Sequence, residues 1–455
     1  MSNPYIQTTP EQLSEMLAKI GAASIDEIFN DQIPADLQYK SSFEIPEALS
    51  ELELQAHLAE LAARNRVAAP GSGFVSFMGG GIYDHFVPSA IMQVAGRQEY
   101  VTGYTPYQPE ASQGLLQAFF EYQTMISRLY DMPVANASLY DGASAVGEAV
   151  FMALGIKTER DRILLSQTIH PDYRSLVATY MAHFGVKVET VSHEDGVTPT
   201  AALEKAIGDD VAAVVVQHPN YFGCLEDVQK IGEIAHKSDA LFIVIADPNS
   251  LGVLAPPGSY DADIAVGEGQ PLGLNPYAGG ETVGIFTCKK DFMRRVPGRL
   301  VGLTKDKSDR RGFVLTLQTR EQHIRRAKAT SNICTNHAHN ALRSTIYMSL
   351  MGPNGMARVA RACLRNTNKL KNLVEQRKPE AVAFKQPVYK EFVVRTKSPA
   401  ADVQREMLDR GFLAGTPLSL RTNAEFGEDL LLISATEKRT DNEMEQFVNA
   451  LEEFL

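Results

Sequence analysis

The stretch VAAVVVQHPNYFGCLEDVQKIGEIAHKSDALFIVIAD, residues 211–247, predicts two apolar strands joined by a helix. The strands are expected at Val211–Gln217 and Leu241–Ala246, and the helix at Leu225–His236. Neither strand alternates apolar with polar residues, which is typical of a sheet covered on both faces. The stretch therefore predicts a doubly wound α/β domain.

Further strands and helices are predicted to alternate upstream of this stretch, at Arg162–Ser166, Tyr173–Phe184, Val186–Val191 and Thr200–Ile207. Polar residues follow three of the strands at their carboxyl ends, namely His170, His218 and Asp247. Open α/β sheets bind ligands at that edge, so these three side chains are expected to line a common crevice.

The chain is predicted to have three parts: a helical arm at residues 1–70, a large α/β domain at 71–330 and a smaller α+β domain at 331–455. Within the arm, Thr9-Pro10-Glu11 is a helix start with proline at the first helical position. The small domain is expected to contain two strands, two helices and a capping box, at Phe392–Thr396, Ala400–Arg410, Leu430–Ser434 and Thr440–Glu443.

The bulk properties are those of a globular protein. The 455 residues include 44 basic and 55 acidic side chains, and the resulting net charge of −11 disfavours nucleic acid as a general partner. We expect no membrane span and no secretion signal, hence a cytoplasmic protein. The four cysteines form no CxxC pair, which favours buried free thiols over disulfides or a metal site.

The order of strand-end residues and a later glycine-rich segment resembles the large domain of fold-type I, aminotransferase-like pyridoxal phosphate (PLP) enzymes. In that resemblance His170 stacks on the cofactor and Asp247 holds its pyridine nitrogen. The lysine that bonds the cofactor covalently falls on Gln270, within GEGQPLG at 267–273, and an amide cannot replace an amine. Each residue taken alone is as well explained by an ordinary strand end, but their joint order favours a relic cofactor site.

Other residues near this predicted site have plainer interpretations. Lys289 and Lys290 are the nearest substitutes for the missing amine, but they lie in a basic stretch typical of a solvated surface. Asp141 precedes the helix where the cofactor phosphate is expected, and capping is its favoured role, since its carboxylate would repel a phosphate.

Four strings carry a narrower resemblance: GGGIYDH (79–85), GYTPYQPEASQG (103–114), NASLYDGASAVGEA (136–149) and TREQHIRRAKATSNICTN (319–336). They resemble the P-protein (glycine decarboxylase) of the glycine cleavage system, and within it the alpha subunit of the bacterial two-chain type. The resemblance covers nearly the whole chain. It implies that the beta subunit alone keeps the lysine, so that PLP is held covalently by that partner and no catalytic residue lies in this chain alone.

The resemblance also implies a reaction and partners. With its beta subunit, in a heterotetramer of two alpha and two beta chains, the protein would bind glycine through PLP, release carbon dioxide and transfer the aminomethyl group to the lipoyl arm of H-protein. We expect one loop to complete the shared site across the interface, through Tyr104, Thr105, Tyr107, Gln108 and Glu110. A rigid proline-bounded loop without a site is the alternative.

The charged residues of the last string are expected to lie on a helix, in which Glu321 and Arg325 are spaced for an i,i+4 pair. Its charged residues are Arg320, Glu321, His323, Arg325, Arg326 and Lys328. A solvated face is favoured slightly over subunit contacts or an anionic partner.

Three functions therefore stand at this point. The favoured one is a lysine-less subunit of a two-chain glycine decarboxylase. The second is a self-sufficient PLP enzyme that uses Lys289 or Lys290, and the third is a non-catalytic scaffold of the same fold.

Overall fold

The computed structural model describes residues 5–69, 71–422 and 425–455. The chain divides into two compact units, Met1–Arg66 and Val67–Leu455. The predicted domain boundaries at residues 70 and 330 stay predictions.

The arm contains three helices: α1 (Pro10–Ile20), α2 (Ile25–Gln32) and α3 (Glu51–Ala63). Helix α1 starts as predicted, with Pro10 at its first position and a capping box between Thr9 and Gln12. None of the three helices has a buried residue. The helices of this unit are therefore stabilised by local capping and not by a buried core of their own.

The body contains the remaining elements, numbered here in chain order. Its helices are α4 (Ser89–Ala95), α5 (Gln98–Val101), α6 (Gln113–Tyr130), α7 (Gly142–Ile156), α8 (Pro171–Met181), α9 (Thr200–Ala206), α10 (Val228–Lys237), α11 (Gln322–Arg325), α12 (Ala338–Arg377), α13 (Ala400–Asp409), α14 (Ser419–Thr422) and α15 (Asp441–Leu451). Its strands are β1 (Val75–Ser76), β2 (Val134–Ala135), β3 (Arg162–Ser166), β4 (Lys187–Val191), β5 (Val211–His218), β6 (Leu241–Ala246), β7 (Ile264–Glu268), β8 (Gly284–Cys288), β9 (Leu300–Lys305), β10 (Arg311–Thr316), β11 (Glu391–Arg395), β12 (Phe412–Leu413), β13 (Thr416–Pro417) and β14 (Leu430–Ser434).

A seven-stranded sheet with the order β2-β8-β7-β6-β5-β3-β4 forms the centre of the body. Strands β7, β6, β5, β3 and β4 are parallel to one another, whereas β8 is antiparallel to both β7 and β2. Alternate residues of β5 enter different cores: Val214 packs with α6 and α10, and Val215 packs with α7 and α8. Both faces of the sheet are therefore covered, which confirms the doubly wound α/β prediction.

The predicted strands match the structure to within a residue, but two helices differ by more: α8 spans Pro171–Met181 where Tyr173–Phe184 was predicted, and α10 starts later than expected. Helix α10 begins at Val228 and not at Leu225, because the Asp227 side chain accepts a hydrogen bond from the Lys230 amide and caps the helix there. Of the described helices, none is long and apolar enough to cross a membrane.

The C-terminal part of the chain forms a second, three-stranded sheet with the order β11-β14-β13. Helix α15 starts at the predicted capping box and packs Met444, Phe447 and Val448 into the core behind this sheet. Helix α12 is interrupted at Gly352, where φ is +58°, immediately before Pro353. Lys390, the residue just before β11, contacts Asp247, which follows β6 and belongs to the predicted relic site.

Candidate functional site

Asp247, at the end of β6, is paired with a lysine that the sequence interpretation missed. The Nζ atom of Lys390 lies 2.5 Å from Asp247 Oδ2 and 3.5 Å from the centre of the Tyr83 ring. The Lys390 side chain is 1% exposed. An ammonium placed between a carboxylate and an aromatic face is stabilised by both groups. The carboxylate that would hold a pyridine nitrogen is thus already neutralised from within the chain.

A second buried polar contact extends from this lysine. Lys390 Nζ is 3.5 Å from His85 Nε2, and His85 Nδ1 is 2.7 Å from Glu437 Oε2. The His85 ring therefore bridges the Lys390 ammonium and the Glu437 carboxylate. Burial opposes ionisation of Glu437, but the His85 ring and the Phe86 amide outweigh it and lower the pKa to about 2. A charged network therefore joins the segment around residue 85 to the C-terminal part of the chain.

The N-terminus of α7, where the cofactor phosphate is expected, receives a carboxylate from the chain itself. Glu268 Oε2 accepts from the Gly142 amide at 3.0 Å, and Oε1 accepts from the amides of Gln270 at 2.9 Å and Val283 at 3.0 Å. Asp141 caps the same helix by accepting from the Ser144 amide, as predicted. Burial raises the pKa of Glu268 to about 8, against the three amide donors that favour its ionised form.

Gln270 occupies the expected lysine position and is fully buried. Its Oε1 accepts from the Tyr83 amide at 3.0 Å, and its Nε2 donates to the carbonyls of Tyr83 at 3.0 Å and Leu274 at 2.9 Å. These bonds account for the whole capacity of a side-chain amide except one lone pair. The glutamine therefore fixes the glycine-rich segment before Tyr83 in place.

His170 is held against the same glycine-rich segment. Its Nδ1 accepts from the Asp172 amide at 3.1 Å, so Nε2 carries the proton and donates to the Gly80 carbonyl at 2.8 Å. Tyr173 stacks on its ring with the two ring centres 4.8 Å apart. Burial lowers the pKa of His170, which keeps the ring neutral. A tyrosine of this chain thus takes one face of the ring that was expected to stack on a cofactor.

His218 does not share this environment, and the prediction of one crevice lined by all three strand-end residues is wrong in this respect. Its Nδ1 accepts from the Glu226 amide at 3.1 Å, and burial lowers its pKa to about 4. The buried Glu226 in turn accepts from Asn220, Thr168 and the Thr198 amide. His218 therefore belongs to a structural polar network.

The residues present do not fit PLP in this chain. A phosphate at α7 would have to displace the Glu268 carboxyl group from the Gly142 amide, a pyridine nitrogen at Asp247 would have to displace Lys390, and Gln270 offers no amine for the aldehyde. Each of the three cofactor contacts is replaced by a contact within the chain.

The two alternative lysines are engaged or exposed at the surface. Lys289 Nζ lies 2.7 Å from Asp261 and 2.8 Å from Asp263, and although burial opposes it, these two carboxylates raise its pKa. Lys290 is exposed. A nucleophilic lysine needs the opposite change, a lowered pKa in a desolvated pocket.

A different region of the body brings two of the quoted strings together. The Tyr107 ring lies 6.4 Å from the His323 ring and 5.7 Å from the guanidinium carbon of Arg299. Tyr104 is 84% exposed and Tyr107 50% exposed. Across residues 5–69, 71–422 and 425–455, no other residue hydrogen-bonds to the hydroxyls of Thr105 or Tyr107.

The same loop borders an open groove of about 970 Å³. The lining includes Arg97, Tyr100, Thr105, Tyr107 and Gln108. Glu110, at the next turn, is exposed. The residues expected to complete a shared site therefore present polar atoms at the surface. They are not part of the relic pocket, the buried site around Asp247, Glu268 and Gln270.

The charged residues of the string at 319–336 do not lie on a single helix as predicted. Only Gln322–Arg325 is α-helical, with short 3₁₀ turns at Gln318–Arg320 and Arg326–Lys328. No Glu321–Arg325 pair forms among the described residues, and Glu321 lies 3.6 Å from His323. Arg320 donates to the Val296 carbonyl, and burial lowers its pKa to about 10. The solvated-face interpretation is therefore wrong for Arg320; Arg325, Arg326 and Lys328 are exposed, and for them the choice between a solvated face and a subunit contact stays a prediction.

The cysteine prediction holds for three of the four residues. Cys224, Cys288 and Cys363 are buried free thiols, whereas Cys334 is exposed. Cys363, His85 and Glu437 each place one potential metal-ligand atom within 4.8 Å of the others. Hydrogen bonds already join Cys363 and His85 to Glu437, and the Lys390 ammonium beside His85 disfavours a cation.

Sequence reasoning missed Lys390, Glu268, Glu391 and Tyr83. The carboxylate of Glu391 accepts from the Tyr83 hydroxyl at 2.8 Å and from the Gly80 amide at 2.9 Å, and burial raises its pKa to about 7. The available signal was Lys390-Glu391, two adjacent charges at the start of an apolar strand. Charged residues are rarely buried without partners, so such a pair predicts internal contacts.

Residues 3–451 match the family model of the glycine cleavage system P-protein. The chain is 48% identical over 449 residues to the probable glycine dehydrogenase (decarboxylating) subunit 1 of Chlorobium chlorochromatii, covering 98% of this chain and 99% of that protein. It is 46% identical over 449 residues to the protein of the same name from Carboxydothermus hydrogenoformans, with the same coverage.

The solved structures agree with this family. A glycine decarboxylase (P-protein) of the glycine cleavage system, in inhibitor-bound form, superposes with a TM-score of 0.90 at 42% identity and covers 100% of both chains. An alanine–glyoxylate aminotransferase from Nostoc superposes with a TM-score of 0.58 at 15% identity, over 93% of this chain and 98% of that one. The second likeness shows the fold-type I architecture alone.

Proposed function

The chain belongs to the glycine cleavage system P-protein family, and we propose that it is the lysine-less subunit of a two-chain glycine decarboxylase. The observation that carries this proposal is the filling of the relic pocket by Glu268, Gln270 and Lys390. A chain whose own pocket is closed by such contacts acts in this reaction through a second chain.

In this proposal the second chain, subunit 2, holds PLP covalently. The cofactor supplies the electron sink for decarboxylation of glycine, and the aminomethyl group passes to the lipoyl arm of H-protein. Two copies of each chain form a heterotetramer in the cytoplasm. The relatives' designation as subunit 1 supports the presence of another subunit.

The contribution of this chain is to complete the partner's site from the loop at Tyr104–Glu110. The Thr105 and Tyr107 hydroxyls make no hydrogen bond to another described residue, so both remain able to bind carboxylate or phosphate oxygens. Gln108 and Glu110 extend the same polar face. The exposed aromatic surface of Tyr104 and Tyr107 favours coverage by a protein partner.

The first test is borohydride reduction of the purified chain with PLP, followed by peptide mapping. We expect no stoichiometric label on any lysine, because Lys390 and Lys289 are held as charged ion-pair partners. Glycine–bicarbonate exchange should be absent for the chain alone and appear on addition of subunit 2. A single stoichiometric label on Lys289 or Lys290, with exchange by the chain alone, would instead establish a self-sufficient enzyme.

The loop is tested in the reconstituted complex with Thr105→Val and Tyr107→Phe, each of which removes one hydroxyl. We expect kcat/KM for exchange to fall by about 10- to 100-fold, the effect of losing a hydrogen bond to a charged group. Ser308→Ala, which removes an exposed hydroxyl between β9 and β10, is the matched control and should leave the rate unchanged. Full activity of both loop variants would favour the scaffold function.

A further inference from the structure

Arg299 is a buried cation without an anionic partner. It immediately precedes β9 and is 6% exposed. Within residues 5–69, 71–422 and 425–455 its guanidinium makes no hydrogen bond and no ion pair, and its recorded interaction is with the Tyr107 ring at 5.7 Å. A cation–π contact offsets only part of the cost of burying a guanidinium.

Two other deeply buried arginines of the body, Arg343 and Arg439, have carboxylate partners, whereas the largely enclosed Arg320 donates to the Val296 carbonyl. Arg343, 2% exposed, pairs with Glu281 at 2.5 Å, and Arg439, 7% exposed, pairs with Asp84 at 3.0 Å. At both positions the buried guanidinium is therefore paired with a carboxylate. Arg299 departs from that pattern.

The unpartnered nitrogens of Arg299 differ in their access. Nε is completely enclosed, whereas the two terminal nitrogens keep contact with solvent. The guanidinium carbon lies 5.7 Å from the centre of the half-exposed Tyr107 ring, which is also 6.4 Å from the ring of His323. The guanidinium therefore lies beside the point where two of the four quoted strings, 103–114 and 319–336, meet.

We propose that Arg299 binds the oxyanion of a small molecule, a carboxylate or a phosphate, in the active site completed by the partner subunit. The proposal rests on the proposed function and adds to it the residue and the chemical group that it binds. A planar guanidinium fork binds both oxygens of such a group at once, which a lysine cannot do. The Tyr107 hydroxyl and the His323 ring supply further donors beside it.

The test uses Arg299→Gln and Arg299→Lys in the complex reconstituted with subunit 2. Arg311→Gln is the matched control, because Arg311 also lies over an aromatic ring, 5.6 Å from that of Phe313, but is exposed. Inorganic phosphate serves as the oxyanion probe. Glycine KM, PLP retention on dialysis and the dissociation constant of the two subunits are measured for each variant.

We expect Arg299→Gln to weaken oxyanion binding by about 10- to 100-fold, and Arg299→Lys to restore part of it. A raised glycine KM, with loss of competitive inhibition by phosphate, identifies the substrate carboxylate. Faster loss of PLP identifies the cofactor phosphate. Either result supports the proposal, provided that the melting temperature and subunit affinity match those of Arg311→Gln.

Two results would overturn the proposal: unchanged glycine, phosphate and PLP binding in an active complex, or weakened subunit association alone. The second would mean that a carboxylate side chain of the partner pairs with Arg299. Failure of the wild-type complex to catalyse exchange would reject the proposed function instead. In that case, equilibrium dialysis of radiolabelled phosphate with the free chain tests the Arg299 site. Arg299→Gln should lose phosphate binding, and Arg311→Gln should keep it.

Discussion

Replacing Lys390 with methionine lowers the free energy of unfolding by about 3–5 kcal/mol, because it leaves the Asp247 carboxylate without its cation in a largely buried site. Methionine keeps the unbranched stem, so the change isolates the ammonium. Asp247 is 16% exposed and also accepts from the Asn249 amide at 3.0 Å. Urea unfolding of the variant and the wild type measures the difference.

The double variant Lys390→Met with Asp247→Asn identifies the source of that loss. The asparagine removes the unpaired charge and keeps an oxygen for the Asn249 amide, so it should recover at least about 1 kcal/mol of the loss. Lys305→Met is the matched control, because its pair with Asp309 is exposed and should contribute less than about 1 kcal/mol. An effect of Lys390→Met no larger than that of the control would show that the buried pair does not hold the pocket closed.

Replacing Glu268 with alanine is expected to cost about 3–6 kcal/mol, since three buried amides lose their acceptor. Those amides belong to Gly142, Gln270 and Val283. Glu268→Gln should cost less, because one oxygen remains while its amide group meets a backbone donor. Urea unfolding is again the measurement, with the exposed Glu445→Ala on α15 expected within about 0.5 kcal/mol of the wild type.

The same carboxyl group gives a pH dependence with a definite sign. Burial raises the pKa of Glu268 from 4.5 to about 8 in the folded chain. Above pH 4.5 the unfolded chain has lost a proton that the folded chain keeps, so this contribution to stability is lost as the pH rises toward 8. Glu268→Gln should lack that fall. An identical pH profile in the variant and the wild type would show that Glu268 is already ionised in the folded state.

The sequence predicted the central sheet well because its signals are local. Apolar runs such as Val211–Gln217 and Leu241–Ala246 specify both the strands and their burial on two faces. Capping side chains, including Thr9, Asp141 and Thr440, specify helix starts over three or four residues. Where a competing cap was overlooked, as at Asp227, the predicted helix began too early.

Only part of the candidate site could be predicted from the sequence. Asp247, His170 and Gln270 were located from their order along the chain, and the missing lysine could be read directly. The groups that fill the pocket could not be found in that way, because Lys390 lies far from Asp247 in sequence and meets it only in the folded body. Likewise, Tyr107, Arg299 and His323 occur in three separate segments and become neighbours only in the folded body.

By itself, the sequence determined the doubly wound α/β body, the resemblance to the P-protein family and the lack of a cofactor-bonding lysine at Gln270. These are properties of residue type, periodicity and order, which the chain carries before it folds. Only the tertiary structure decided that Glu268, Gln270 and Lys390 close the relic pocket, and that Arg299 is buried without an anion. Both depend on distances between side chains remote in sequence, where desolvation makes each charge depend on the partner that folding brings to it.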